Sequence, residues 1–478
     1  MTAEKNTPTT TTSPVVPQDG ARSAAAQNAA PASAAASATS AAADSPDAGH
    51  PEAHGSSKGG GHSAPQTPSQ KRKMRLLTVL AAMGPGLIAA LSGTDAGGIA
   101  TYSNAGALFG FGQLWTVPIM GFLMIVVQET AARMGCVTGK GFASLIREQF
   151  GVRLSAFAML ALLVSNTMVT LSEFAGIASG MSLFGIPAPI SVPIAAIVIW
   201  LLTMSGSYKR IEKVLLAICC VFIAYVVAGF MVQPDWGDAL NATIIPRITP
   251  TPEYLSLLVA NIGTTIAPWM IFLAESNVVD KNVGADEIPY QRIDTATGAI
   301  LASIISWFII MATGVTLHPA GVAVDDAAQA AQALAPIAGP YAERLFGLGL
   351  VGASLLAAAV LPGISSSAIC EALGWEHGAD HGWSEAPVYR GIITAIIVLS
   401  AGVVLIPNID LFGIMMAAQV VNGVLLPVLM IYMVIIASDK RIMGRYVNGR
   451  VWNIITWATI VIIIILTIVM FVLQALGY

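Results

Sequence analysis

The residues with the most definite chemistry lie in the stretch Ser92-Gly93-Thr94-Asp95-Ala96-Gly97-Gly98, which interrupts an apolar run from about Leu76 to Phe109. A carboxylate at a bilayer centre costs about 2.5–3.5 kcal/mol on insertion scales, so Asp95 needs something cationic to bind. The glycines around it let a helix unwind and free its carbonyl oxygens. A carboxylate with carbonyl oxygens suits a small hard cation, because such cations take oxygen ligands. The bland alternative is a polar contact between helices, but no Lys or Arg lies in any span core to serve as Asp95's partner. A second interruption, Ile262-Gly263-Thr264-Thr265-Ile266-Ala267-Pro268, breaks a later apolar run. With both helices broken there, the carbonyls of Ser92 and Thr264 become candidate ligands, and Thr265 could add its hydroxyl.

Those interruptions need elements to hold them. The chain has 478 residues, 55% hydrophobic and only 10% charged. A water-soluble domain carries about 25% charged residues, so this chain belongs in a bilayer. A span needs about 20 apolar residues. Eleven such spans are expected, at about 76–109, 112–135, 155–182, 189–205, 212–233, 254–280, 294–317, 344–373, 390–406, 410–437 and 451–475. Residues 1–70 are dominated by Ala, Ser, Thr and Pro and cannot offset the entropy of ordering. They read as a disordered cytoplasmic tail, whose His50, His54 and His62 are solvated. Residues 71–478 form the membrane domain.

Placing the N-terminus inside puts 18 Lys and Arg on inner segments, among them Arg133, Arg292 and Arg450, against Arg247 and Arg344 outside. The positive-inside rule therefore favours this orientation, with the C-terminus outside. Spans one to five (76–233) and six to ten (254–437) form two blocks of opposite entry direction, followed by an eleventh span at 451–475. Each block opens with an interrupted span. Paired interruptions in inverted halves point to a midplane transport site. The fold class expected is all-α and polytopic, a five-plus-five inverted repeat. The four cysteines show no CxxC spacing and read as buried thiols. With no nucleophile–base pair and no cofactor motif, the chain is not expected to be an enzyme or to hold a resident cofactor. The expected partners are a divalent metal ion as substrate and the lipid bilayer. No nucleic acid is expected, and a monomer is.

The broken first and sixth spans, the segment Gln128–Arg147 and the run Gln419–Pro427 (QVVNGVLLP) resemble the NRAMP divalent-metal transporters over roughly residues 76–475. That resemblance implies a LeuT-like fold, a midplane site for one transition metal and proton-driven uptake. The departures are specific. Where the family has Asp-Pro-Gly-Asn, this chain has Asp95-Ala96-Gly97-Gly98; where it has Met-Pro-His, this chain has Ala267-Pro268-Trp269. A second family histidine aligns with Ala274, and the third-span acidic pair aligns with Thr170 and Glu173. Loss of a soft thioether removes a preference for transition metals. Magnesium, held through one or two carboxylates with several waters retained, fits the emptied site at Asp95, Gly98 and Ala267. Loss of both histidines removes the usual proton shuttles.

The resemblance thus points to an NRAMP-related magnesium transporter that carries Mg²⁺ and also Mn²⁺ without obligatory proton coupling. The alternative is a proton-coupled Mn²⁺/Fe²⁺ importer. Transport of an organic substrate fits less well, since it would want helix N-termini facing a carboxylate without a buried aspartate at the break, and a metal-sensing receptor fits less well because no folded soluble domain is visible. Gln419 and Asn422, one helical turn apart, are candidates to touch the ion or order its water, or else to bond neighbouring helices. Glu173, Trp269 and Glu275 are candidates for the permeation path. Glu129 and Glu371, near inner span ends, read as solvated at the interface.

Overall fold

The computed structural model describes residues 95–205, 221, 223–378 and 381–476. The expected tail (1–70), the first part of the first span with Ser92, and residues 206–220 of the fifth-span region fall outside them.

In a bilayer, backbone groups must be satisfied within the segment, so apolar runs become helices. Those that carry the architecture are α1 (Ala96–Phe109), α2 (Thr116–Thr138), α3 (Phe142–Ser182), α4 (Ala188–Ser205), α5 (Ile223–Met231), α6 (Trp236–Ile244), α7 (Pro252–Thr265), α8 (Pro268–Asp280), α9 (Ile288–Thr316), α10 (Ala342–Leu373), α11 (Pro387–Val404), α12 (Leu411–Ser438) and α13 (Arg450–Ala475). Among the described residues no strand occurs. Among the described residues, eight segments are long and apolar enough to cross a membrane, taking α7 with α8 as one. Helix α4 is a shorter apolar helix.

Helix α3 is the centre of the bundle, packed along α10 and α12, with α7 against α12 and α9 against α1 and α2. It starts well before the expected residue 155. Gly151, at φ 74°, separates a leading segment from the span, and glycine tolerates that left-handed φ. The leading segment is anchored by Phe142 against Phe272 and Phe150 edge-on to Tyr432. Helix α6 lies in a connection that the sequence marked only as a loop. Asp235 caps it through the Asp238 N–H at 3.1 Å. The Arg247 guanidinium hydrogen-bonds Asp238 and holds its carboxyl below the usual range.

Helices α7 and α12 touch backbone to backbone. A Cβ on Gly263 would stand 2.1 Å from the Gln419 carbonyl oxygen, and one on Gly423 would stand 2.4 Å from that of Val259. Backbone cannot step aside as a side chain can. Gly263→Ala is therefore expected to destabilise by about 1–3 kcal/mol, the usual range for overpacking. Thermal unfolding in detergent reads this; an unchanged melting temperature would refute the seam.

Glu129 differs from the expectation of interfacial solvation. It is buried, and its carboxylate accepts from Arg133 Nε at 3.0 Å, Arg292 Nε at 2.8 Å and Trp452 Nε1 at 3.1 Å. Arg133 is buried as well and also donates to the Tyr446 carbonyl and to Asn448. Removing one member of a buried ion pair strands the other. Glu129→Leu should cost about 3–5 kcal/mol, while Arg292→Gln, whose side chain is 57% exposed, should cost about 1 kcal/mol or less. Comparing the two melting temperatures tests that ranking. Cys136 and Cys370 are buried free thiols as expected, while Cys219 and Cys220 lie outside the described residues.

Candidate metal site

Asp95 is the N-cap of α1, and its Oδ1 accepts from the Gly98 N–H at 2.6 Å. The first turn of any helix leaves N–H groups without internal partners and carries a positive partial charge. Asp95 takes one of those N–H groups; Glu173 on α3 takes another, its Oε2 accepting from the Ala96 N–H at 3.3 Å. The start of α1 thus holds two carboxylates at one helix end, both almost completely buried.

The second interruption faces the first. Helix α7 stops at Thr265, Ile266 and Ala267 are non-helical, and α8 starts with Pro268. The Thr264 carbonyl would bond the N–H four residues on, but that residue is Pro268, which has none. The expected free carbonyl at Thr264 therefore follows from the sequence itself. The Thr264 hydroxyl lies 3.5 Å from Asp95 Oδ1, so the two breaks are in direct contact. Ala267 is buried at the break.

Gln419 and Asn422 reach the same centre from α12. The Gln419 amide packs on Gly97, where a Cβ would come within 1.9 Å of its nitrogen. Its Oε1 accepts from Asn422 Nδ2 at 3.0 Å, and its Nε2 has no partner. Asn422 is bonded in turn by Ser165 of α3. A further bond, Asn166 Nδ2 to Ser365 Oγ at 2.8 Å, joins α3 to α10. This polar ladder was not anticipated as a unit. The spacing of three between Gln419 and Asn422 carried part of the signal, because such residues share a helix face.

Thr265 points elsewhere. Its hydroxyl donates to the Asn261 carbonyl at 2.6 Å and meets the Tyr102 hydroxyl at 2.7 Å. It borders a cavity of about 10 Å³ with Tyr102, Met120 and Ser306, room for one water at most. Trp269 is fully buried with its indole N–H unpartnered. Glu275, two turns along α8, is fully buried, and neither carboxylate oxygen has a hydrogen-bond partner. It therefore does not pair with the basic residues expected near it. Ser92 lies outside the described residues. Among those described, the groups converging on the two breaks are carboxylates, hydroxyls, amides and backbone, with no imidazole or thioether bonded to Asp95. His318 instead sits at the far end of α1 against the Ala107 carbonyl, at 2.9 Å.

Residues 86–473 match the family model described as Nramp, natural resistance-associated macrophage protein-like. The fold is similar to that of a manganese transporter from Eremococcus coleocola, with a TM-score of 0.67, 21% identity, and coverage of 84% of this chain and 87% of that one. It is also similar to MhsT, solved with L-phenylalanine, at a TM-score of 0.54, 15% identity, and 83% and 98% coverage. Mhp1, a nucleobase-cation-symport-1 family transporter, gives a TM-score of 0.51, 13% identity, and 82% and 93% coverage. These likenesses place the helices in the LeuT-like inverted-repeat fold expected from the paired interruptions. The chain belongs to the Nramp family and is, on that membership, a divalent-metal transporter embedded in the membrane.

Proposed function

We propose that the chain imports Mg²⁺, and also Mn²⁺, by alternating access through one site at Asp95, without obligatory proton coupling. The observation that carries this reading is the oxygen contact at the facing helix ends, where Asp95 meets the Thr264 hydroxyl beside the freed Thr264 carbonyl, with Ala267 where a soft ligand would stand. Hard cations take oxygen ligands, and magnesium keeps several waters of its own. On this reading Gly98 leaves room for those waters, and Gln419 and Asn422 order them. Glu275 lines the inner exit, with Trp269 shaping its vestibule. Import of a divalent ion gains about 4.6 kcal/mol per 100 mV of inside-negative potential, twice the single-charge value.

The domain limits belong to the same reading: a cytoplasmic tail at 1–70, repeats at 76–233 and 254–437, an eleventh span at 451–475, and a monomer with its C-terminus outside. A second reading is proton-coupled Mn²⁺ or Fe²⁺ import. Glu173 favours it, because a buried carboxylate with Oε1 unpartnered beside Asp95 is a ready proton acceptor. Proteoliposomes holding a Mg²⁺ dye or a pH dye separate the two. Mg²⁺ entry under a negative-inside potential without acidification is expected. Mn²⁺ entry with acidification, and no Mg²⁺ entry, would overturn the proposal in favour of the second reading.

A further inference from the structure

At the end of the bundle that carries 11 of the 13 described Lys and Arg residues, a cavity of about 670 Å³ opens between α2, α9 and the start of α13. Arg133, Arg292, Arg445 and Arg450 line it, with Glu129 as the single acidic side chain. Glu129 cannot neutralise all four: Arg133 and Arg292 share its Oε1, leaving a net charge of +3 on the lining. Arg445 stacks over the Tyr446 ring at 4.8 Å, and the Arg450 side chain has no bonded partner among the described residues. Tyr446 and Trp452, side chains suited to a membrane interface, stand at the rim.

Ile125 lines both this cavity and an apolar groove of about 400 Å³ that climbs between α2 and α9 past Phe122, Ile300 and Ile304. These three residues are exposed to the membrane face, and Phe122 meets the Trp452 ring edge-on at 6.4 Å. Basic head pocket and apolar groove are thus joined at one residue, with an aromatic pair at the joint.

We propose that this joined site binds one anionic phospholipid of the inner leaflet. The phosphate and its charged headgroup sit among Arg292, Arg445 and Arg450, and an acyl chain lies along the α2–α9 groove. Each arginine near an anionic membrane surface contributes about 1 kcal/mol, and guanidinium matches phosphate oxygens in a planar fork. A zwitterionic lipid would fill the groove but leave the arginines without a net counter-charge. Free phosphate would meet the arginines but leave the groove empty.

The test uses the full chain in detergent micelles and native mass spectrometry. The probes are phosphatidylglycerol, phosphatidylcholine with the same acyl chains, and inorganic phosphate. One phosphatidylglycerol should be retained, at least tenfold more tightly than phosphatidylcholine. Arg445→Gln with Arg450→Gln should weaken that binding by roughly 30-fold, the product of two such contributions. Both side chains are exposed and outside any ion pair, so this variant keeps its fold. Arg153→Gln with Lys440→Gln removes the same charge from the same end, away from the cavity, and should change binding less than threefold. Equal retention of the two lipids, equal loss in both double variants, or inorganic phosphate displacing the lipid at equal concentration would each overturn the proposal.

Discussion

Asp95→Asn is expected to abolish Mg²⁺ and Mn²⁺ uptake while the protein remains folded. Asparagine caps a helix about as well as aspartate does, so the Gly98 N–H keeps its acceptor and α1 keeps its start. What disappears is the negative charge at the contact between the two helix breaks. A neutral amide does not replace a carboxylate for a hard divalent ion, which relies on one or two of them. Uptake into proteoliposomes should fall by about 100-fold or more, with a melting temperature close to that of the parent. Glu173 would remain as the nearest buried carboxylate, bonded to the Ala96 N–H. Full uptake by the Asp95→Asn variant would remove Asp95 from the transport site.

Gly98→Asn combined with Ala267→Met is the second large effect: the Mn²⁺ to Mg²⁺ uptake ratio should rise at least about tenfold. The backbone accepts both changes. Gly98 is helical and donates only through its N–H, which Asn retains. Ala267 has φ −70° and ψ 143°, open to any residue. Methionine is flexible enough to fit a tight site, and its thioether is a soft ligand that prefers transition metals to magnesium. Measuring both ions against the same potential separates selectivity from expression. An unchanged ratio would show that selectivity does not lie in these two positions.

Much of this was legible in the sequence because the signals are local. Uninterrupted apolar runs mark spans, since lipid leaves the backbone no other partner. The two breaks announce themselves through Gly and Pro, and Pro268 identifies the Thr264 carbonyl as free without any structure at all. Contacts between distant residues were not legible. Nothing near Glu129 says that Arg292 and Trp452 will bond it from 163 and 323 residues away. Thr265 was expected to offer the site its hydroxyl, but helical rotation turns that hydroxyl to Tyr102, and it is the Thr264 hydroxyl that reaches Asp95. The leading extension of α3 was missed because Gly151 reads locally as a helix end, whereas it is a joint between two helical pieces.

The glycine seam bears on how the molecule can work as a machine. Backbones in contact at Gly263 and Gly423 cannot slide without colliding, so α7 and α12 travel as a single lever. Helix α8 follows that lever in the chain through Ile266 and Ala267, two residues outside any helix, and packs on α2 and α3. A change of angle between α8 and that lever therefore falls on these two residues, and it carries Trp269 and Glu275 with it. Such a tilt has to part α8 from α2 and α3, so the packing of Phe272 on Phe142 sets its resistance.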